Sequence, residues 1–343
     1  MIYVKNNIND PYFNTASEEY ILENFNGSGN ERNVFMLWRN MPCVYLGRNQ
    51  NAYAEINLDY AEKNNIKVVR RLSGGGCVFH DMGNINFSFF STVLEGQDEE
   101  KILNFGHFTK PVIAALNSLG VNAELKGRND LLIEGMKFSG NAQYVCKNKA
   151  GLKKILHHGT ILFDADMSKL SEVLNADEEK IKSKSVKSVR SRVTNVLHHL
   201  PEGKKMTADD FYSYLEEYII SENNCQIYRF TEEDIRNIEL LADNFYRTNK
   251  FIYGANLKYS FRKKKYFEFG TVEVCFNVLD SKISGAKIYG DFFGEADIQE
   301  LEKYFDGLPH DSAAIKERLE NAGIEIQKYI KGCDAKTLLS VFI

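Results

Sequence analysis

The chain predicts an α+β protein built in two parts. Residues 1–200 alternate short apolar strands with a few helices, the pattern of a mixed sheet covered by helices. Beyond Lys250 the pattern changes to two strand segments, 267–278 and 283–289, followed by two helices, 297–305 and 312–322. No repeat or low-complexity tract interrupts the chain. The division is expected near 246–250, giving a larger domain over 1–246 and a small α+β domain over 251–343.

Individual elements follow from spacing and punctuation. Residues 11–24 read as the first helix, with Asn14 or Thr15 as its cap. Residues 101–119 place Ile102, Phe105, Val112, Leu116 and Leu119 on one helical face, and Pro111 is expected to break or kink that helix. Further helices are expected over 206–220 and 232–246. The basic cluster at 262–265 reads as a turn.

Composition narrows the class of molecule. The chain is 43% hydrophobic and 26% charged, ordinary for a globular enzyme. A net charge of −4 argues against a dedicated nucleic-acid binder. No apolar run is long enough to span a bilayer, and the N-terminus lacks a basic region followed by an apolar core. The 6 cysteines are scattered with no Cys-x-x-Cys pair, so neither a disulfide framework nor a zinc site is expected. A cytoplasmic protein with reduced thiols, acting as a monomer, is the expectation.

The densest chemistry lies in Arg70-Arg71-Leu72-Ser73-Gly74-Gly75-Gly76-Cys77-Val78-Phe79-His80-Asp81. Three consecutive glycines cost conformational entropy, so they suit a backbone with unusual dihedrals or one lying against a ligand. Paired arginines beside such a loop suit a phosphate or carboxylate, which a guanidinium grips with two parallel hydrogen bonds. A glycine-rich hairpin with solvated arginines would look the same in isolation. The loop matches neither the Walker pattern nor the dinucleotide fingerprint. It joins a strand to a strand: after a turn at Asp81-Met82-Gly83-Asn84, Ile85, Phe87 and Phe89 alternate with Asn84, Asn86 and Ser88. No helix dipole is therefore implied.

Two further constellations follow. In Gly127-Arg128-Asn129-Asp130-Leu131-Leu132-Ile133-Glu134-Gly135-Met136-Lys137-Phe138-Ser139-Gly140-Asn141-Ala142-Gln143, Glu134-Gly135 reads as a hairpin turn. Lys137 then points away from the face occupied by Met136 and Phe138. Leu156-His157-His158-Gly159-Thr160 reads as a strand with its two histidines on opposite faces.

These segments, in this order, together with Lys187-Ser188-Val189-Arg190-Ser191-Arg192-Val193-Thr194-Asn195, closely resemble the lipoate–protein ligase family. The likeness covers nearly the whole chain, including Tyr289-Gly290-Asp291-Phe292-Phe293-Gly294. It implies the mixed-sheet catalytic domain of the biotin and lipoate ligases, followed by a small α+β accessory domain. It also implies an ATP-dependent activity in cofactor salvage. Free lipoate is converted to lipoyl-AMP with release of pyrophosphate. The lipoyl group then passes to a lysine of an apo lipoyl domain, either the glycine-cleavage H protein or the E2 subunit of a 2-oxoacid dehydrogenase.

By that resemblance Lys137 is the catalytic lysine, contacting both the lipoyl carboxylate and the adenylate phosphate. Arg71, Gly76, Cys77, Val78 and Phe79 would line the nucleotide. Arg70, Ser73, Gly74, Gly75 and His80 would lie toward lipoate, with Arg70 either reaching the lipoyl carbonyl or pairing with an acid. Mg²⁺ is expected with ATP to offset triphosphate charge, and Asp130 is its candidate ligand. His80 and His158 suit structural hydrogen bonds. Between 180 and 192, 6 residues are basic; the segment reads either as a solvated stretch or as a basic loop near the adenylate or the acidic acceptor.

Cys77 departs from the alanine common in the family. The related ATP-independent acyltransferases carry a cysteine shortly before the lysine strand, where this chain has Gly127-Arg128-Asn129-Asp130; Cys146 lies after that strand. The Gly-Arg-Gly-Arg-x-Gly loop of biotin ligases is absent. A non-catalytic lipoate-binding homologue is the remaining alternative, disfavoured by intact Arg71, glycine run and Lys137.

Overall fold

The computed structural model describes residues 1–26, 33–94, 103–127, 129–174, 193–254, 259–321 and 323–343. These fall into two compact units. The first comprises Met1–Tyr45, Ile56–Val69 and Val78–Phe251; the second comprises Leu46–Glu55, Arg70–Cys77 and Ile252–Ile343. No helix among the described residues is long and apolar enough to cross a membrane.

The first unit is built on strands β1 (Ile2–Lys5), β2 (Asn33–Trp38), β6 (Asn84–Thr92), β7 (Ala123–Lys126), β8 (Asp130–Ile133), β9 (Met136–Lys147), β10 (Lys153–Leu162) and β11 (Gln226–Arg229). They form one sheet in the order β11-β1-β2-β6-β10-β9-β8-β7. β1 runs parallel to β2 and β11, and the pairs from β2 to β7 are antiparallel. A smaller sheet has the order β4-β3-β5, from β3 (Cys43–Leu46), β4 (Lys67–Arg70) and β5 (Val78–His80).

Helices α2 (Phe105–Ser118) and α3 (Ala208–Glu222) share an apolar core with the large sheet. Phe87, Phe89, Phe138, Phe108, Leu116, Phe211 and Leu215 meet there, and the alternation of β6 supplies the first two. α1 (Pro11–Asn24) covers the other face: its Glu18 accepts hydrogen bonds from Ser88 on β6, at 2.6 Å, and from His158 on β10, at 2.9 Å. The two adjacent histidines thus serve opposite faces, as the strand alternation requires.

Two expectations about helices need correcting. Asp10, not Asn14 or Thr15, caps α1: its carboxylate accepts from Phe13 N at 2.8 Å, while Pro11 at the first position needs no partner for a missing N–H. Asn14 and Thr15 lie inside the helix, and Asn14 bridges Asn6, Arg39 and Asn40 instead. Pro111 does not break α2, which runs through it. Phe108, Val112, Ala115 and Leu116 are buried on both sides of the proline, so tertiary packing holds the helix where one backbone bond is lost. Residues 101 and 102 lie outside the described residues.

In the second unit, β12 (Phe261–Phe267), β13 (Gly270–Leu279) and β14 (Lys282–Gly290) form an antiparallel meander. α5 (Ser312–Asn321) and α6 (Ala335–Phe342) close its core around Val274, Phe276, Ile288, Ile315 and Phe342; α4 (Glu232–Leu241) belongs to the first unit. The basic cluster at 262–265 is strand and not turn, and the segment expected as one strand from 267 turns at Glu268-Phe269. Phe261 stacks on Phe276 and anchors β12, whose cations sit on an edge strand where they deter further pairing.

Candidate active site

The lysine hairpin is the best-defined feature of the first unit. Glu134 (φ 51°) and Gly135 (φ 79°) form the tight turn between β8 and β9, as their spacing suggested. The pairing then slips. Leu132 opposes Lys137 but Leu131 opposes Ser139, so Phe138 is an extra residue on β9 and makes a bulge. Phe138 is buried in the core, while Lys137 keeps the outer face of the hairpin.

There the Lys137 ammonium lies 2.7 Å from Asp130 Oδ1. Both side chains are more than a third exposed, so the pair is open to solvent and to exchange of partners. The backbone of Lys137 is also held: Thr194 N donates to Lys137 O at 2.9 Å, and Val193 bridges to the same residue. The described end of the 187–195 motif is therefore stitched to the lysine strand; 175–192 lie outside the described residues.

Behind the hairpin a polar relay fixes its position. Gln143 Nε2 donates to Leu103 O at 3.1 Å and to His157 Nδ1 at 3.3 Å, which assigns the ring proton to Nε2. That nitrogen donates to Asn141 Oδ1 at 3.3 Å. Asn141 Nδ2 in turn donates to Asn129 O, and Asn129 Nδ2 returns a bond to Asn141 O at 2.7 Å. His157 is fully buried between the Phe87 and Phe108 rings, and burial holds its pKa well below the ordinary value. Gly159 is required by the same packing: a Cβ there would collide with Asn141 Oδ1 and approach Phe87 Cζ to 2.6 Å.

Sequence motifs alone do not single out Asn141, Gln143 and His157 as positioning groups for the hairpin. The available signal was the concentration of Asn, Gln and His on strands, where polar side chains persist only with fixed partners.

In the second unit the glycine-rich loop is organised by its arginines. Arg71 donates from Nε to Ser73 Oγ at 3.1 Å, and from Nη2 to the carbonyls of Gly74 and Gly76, each at 2.8 Å. Gly74 lies directly beneath the carbonyl of Phe292, where a Cβ would collide. Gly75 takes φ 94°, a conformation that costs other residues strain. Gly76 is exposed, and Cys77 and Val78 are partly so.

Arg70 is employed differently. Its Nε and Nη2 both donate to Ile252 O, and its Nη1 donates to the carbonyls of Gly47, Arg48 and Gln50 at 2.7–3.0 Å. It is only 7% exposed, and burial pushes its pKa down to about 10. Ser73 and Phe79 are buried. His80, 1% exposed, meets Asn40 at 3.1 Å and packs on Trp38 and Tyr45.

Among the described residues no three His, Cys, Asp or Glu side chains gather to hold a metal ion, and Asp130 is engaged by Lys137. Cys146 lies on β9 opposite Lys154, at the far end from the hairpin turn.

The first unit thus presents a solvent-facing lysine on a bulged hairpin, a cation suited to a carboxylate or phosphate oxygen. The second unit carries a glycine loop organised by Arg71. The family comparisons agree. The family model for the lipoyl protein ligase A/B catalytic domain matches residues 10–220, and that for the bacterial lipoate protein ligase C-terminus matches 256–342. Lipoate–protein ligase 1 of Staphylococcus aureus is 42% identical over 314 residues, 92% of this chain and 92% of its own length. The bi-partite lipoate protein ligase of Thermoplasma acidophilum, from a structural analysis of that ligase and its E2 lipoyl domain, superimposes with TM-score 0.62. It is 27% identical and covers 76% of this chain and 98% of its own. A lipoate-protein ligase A bound with ATP superimposes with TM-score 0.59 at 25% identity, covering 74% of this chain and 99% of its own. The chain belongs to the lipoate–protein ligase family and is a ligase with the α+β fold its sequence predicts.

Proposed function

We propose that this protein is an ATP-dependent, AMP-forming lipoate–protein ligase, with residues 1–246 as catalytic domain and 251–343 as accessory domain. In the first half-reaction a lipoate carboxylate oxygen attacks the α-phosphorus of ATP, and pyrophosphate leaves. In the second, the ε-amine of an acceptor lysine attacks the lipoyl carbonyl; an amide forms, the amine proton passes to solvent or the departing phosphate, and AMP leaves with the bonding electron pair. Both steps concentrate negative charge on phosphate oxygens, so fixed cations and aimed donors are the main catalytic resource. Lys137 is assigned to the lipoyl carboxylate and the adenylate phosphate. It is a compact ammonium on a flexible stem, able to follow the oxygen as it turns from carboxylate to ester.

Arg71, Gly76, Cys77, Val78 and Phe79 are assigned to the nucleotide. Ser73, Gly74, Gly75 and His80 are assigned to the lipoyl side. Arg70 is assigned there too, through the loop carbonyls it holds. Mg²⁺ would accompany ATP and neutralise phosphate charge; Asp130 would have to leave Lys137 to reach it. Acceptors are apo lipoyl domains of the H-protein or E2 type. The reaction is placed in the cytoplasm, where ATP is available and the 6 free cysteines stay reduced, with the enzyme as a monomer.

The observation that carries this reading is the exposed Lys137 ammonium, held by Asp130 on a hairpin that a buried relay fixes in place. Mass spectrometry of a purified apo lipoyl domain tests it. A lipoyl adduct on one lysine, formed only when both lipoate and ATP are present, is expected; transfer that proceeds without ATP would overturn it.

A further inference from the structure

We propose that Gly140 is a positioning residue for the catalytic lysine, its missing side chain forming the track along which Lys137 reaches Asp130. The inference deepens the reading of Lys137 as the carboxylate- and phosphate-binding lysine and rests on it.

In a regular strand, residues three apart face opposite sides. The bulge at Phe138 changes this: Lys137 opposes Leu132 and Gly140 opposes Asp130, so the three residues Lys137, Gly140 and Asp130 share one face. The lysine stem lies back along its own strand. A Cβ at Gly140 would stand 3.2 Å from Lys137 Nζ and 3.4 Å from Cε, with no third neighbour within 4 Å among the described residues. Its backbone is free of positive φ, so a side chain is not excluded by the main chain. Among the described residues, a side chain at position 140 would therefore press first on the lysine.

Asp130 completes the cradle. Its carboxylate holds the ammonium 2.7 Å away. An incoming carboxylate or phosphate competes for the same proton donors, and the solvent-open pair can yield. Gly140 fixes the direction from which the ammonium is presented, and Asp130 keeps it there between turnovers.

Gly140→Ala, Gly140→Val, Asp130→Asn and the Gly140→Ala/Asp130→Asn double variant test the proposal. The first readout is acylation of Lys137 in the ligand-free protein by acetic acid N-hydroxysuccinimide ester, followed by peptide mass spectrometry. Asp130→Asn and Gly140→Ala should each speed labelling of Lys137 several-fold relative to other lysines. The double variant should be no faster than Asp130→Asn, because both changes act through one contact. The second readout is lipoate-dependent pyrophosphate exchange. A displacement of a few tenths of an ångström in Gly140→Ala should raise the KM for lipoate about three- to tenfold, and Gly140→Val should raise it further, with melting temperatures unchanged.

Unchanged labelling in both single variants, or additive effects in the double variant, would overturn the cradle. So would an activity loss in Gly140→Ala that follows a loss of folded protein. If the wild type shows no exchange, the ligase reading fails, while the labelling comparison still decides the cradle.

Discussion

Arg70→Met should destabilise the second unit more than its lost charge suggests. The guanidinium ties Ile252 O to the carbonyls of Gly47, Arg48 and Gln50, so one side chain holds three separate chain segments of that unit. Hydrogen bonds to a charged donor are each worth about 1.5–3 kcal/mol, and four acceptors are involved. Against this stands the cost of burying the cation. Its pKa falls from 12.5 to about 10, which corresponds to roughly 3 kcal/mol. Methionine removes that cost but leaves four carbonyls without their donor. The balance is a net loss of at least about 3 kcal/mol, the lower end of what removing one partner of a buried charged cluster costs. For a unit of this size the melting transition should fall by roughly 10 °C or more. Arg70→Lys should fall between, because an ammonium lacks the planar fork that serves Ile252 and the 47–50 loop together. Differential scanning calorimetry of the three proteins measures this. A methionine variant as stable as wild type would refute the view that Arg70 is a strut for this unit.

Two other outcomes follow from the buried relay. Gly159→Ala forces a Cβ into Asn141 Oδ1 and the Phe87 ring; overpacking of this kind costs about 1–3 kcal/mol, or roughly 2–12 °C of melting temperature for a unit of this size. Unchanged melting would show that the relay is loosely packed. His157 is neutral in the fold but takes a proton on unfolding below its ordinary value of 6.5. The unfolded state then binds more protons, so the contribution of His157 is intact above that pH and falls by about 1.4 kcal/mol per pH unit as the pH drops through it. Urea titrations between pH 7 and 5 should show this slope in wild type and lose it in His157→Phe. An equal slope in both would place the buried proton elsewhere.

Much of the catalytic unit was legible because its signals are local. The alternation of β6, the Glu134-Gly135 turn and the helices at 11–24 and 206–220 each depend on a few neighbouring residues. The structure shifts the last to Ala208–Glu222 behind a Thr207–Asp210 capping box. What the sequence did not reveal depends on distant partners. The tolerance of Pro111 comes from core contacts on either side of it, and the strand at 261–267 from a stack between Phe261 and Phe276. The face shared by Lys137 and Gly140 arises from a register slip that no periodicity announces. Arg70 and Arg71, adjacent in sequence, serve different partners because successive residues leave a chain in different directions.

Lipoate-dependent exchange of labelled pyrophosphate into ATP, by wild type and by Lys137→Ala, tests the central claim most directly. Exchange that requires lipoate and disappears in the folded variant is the predicted result, since the ammonium is then the group that joins carboxylate to phosphate. Exchange that survives the loss of Lys137, or its absence from well-folded wild type, would contradict the account.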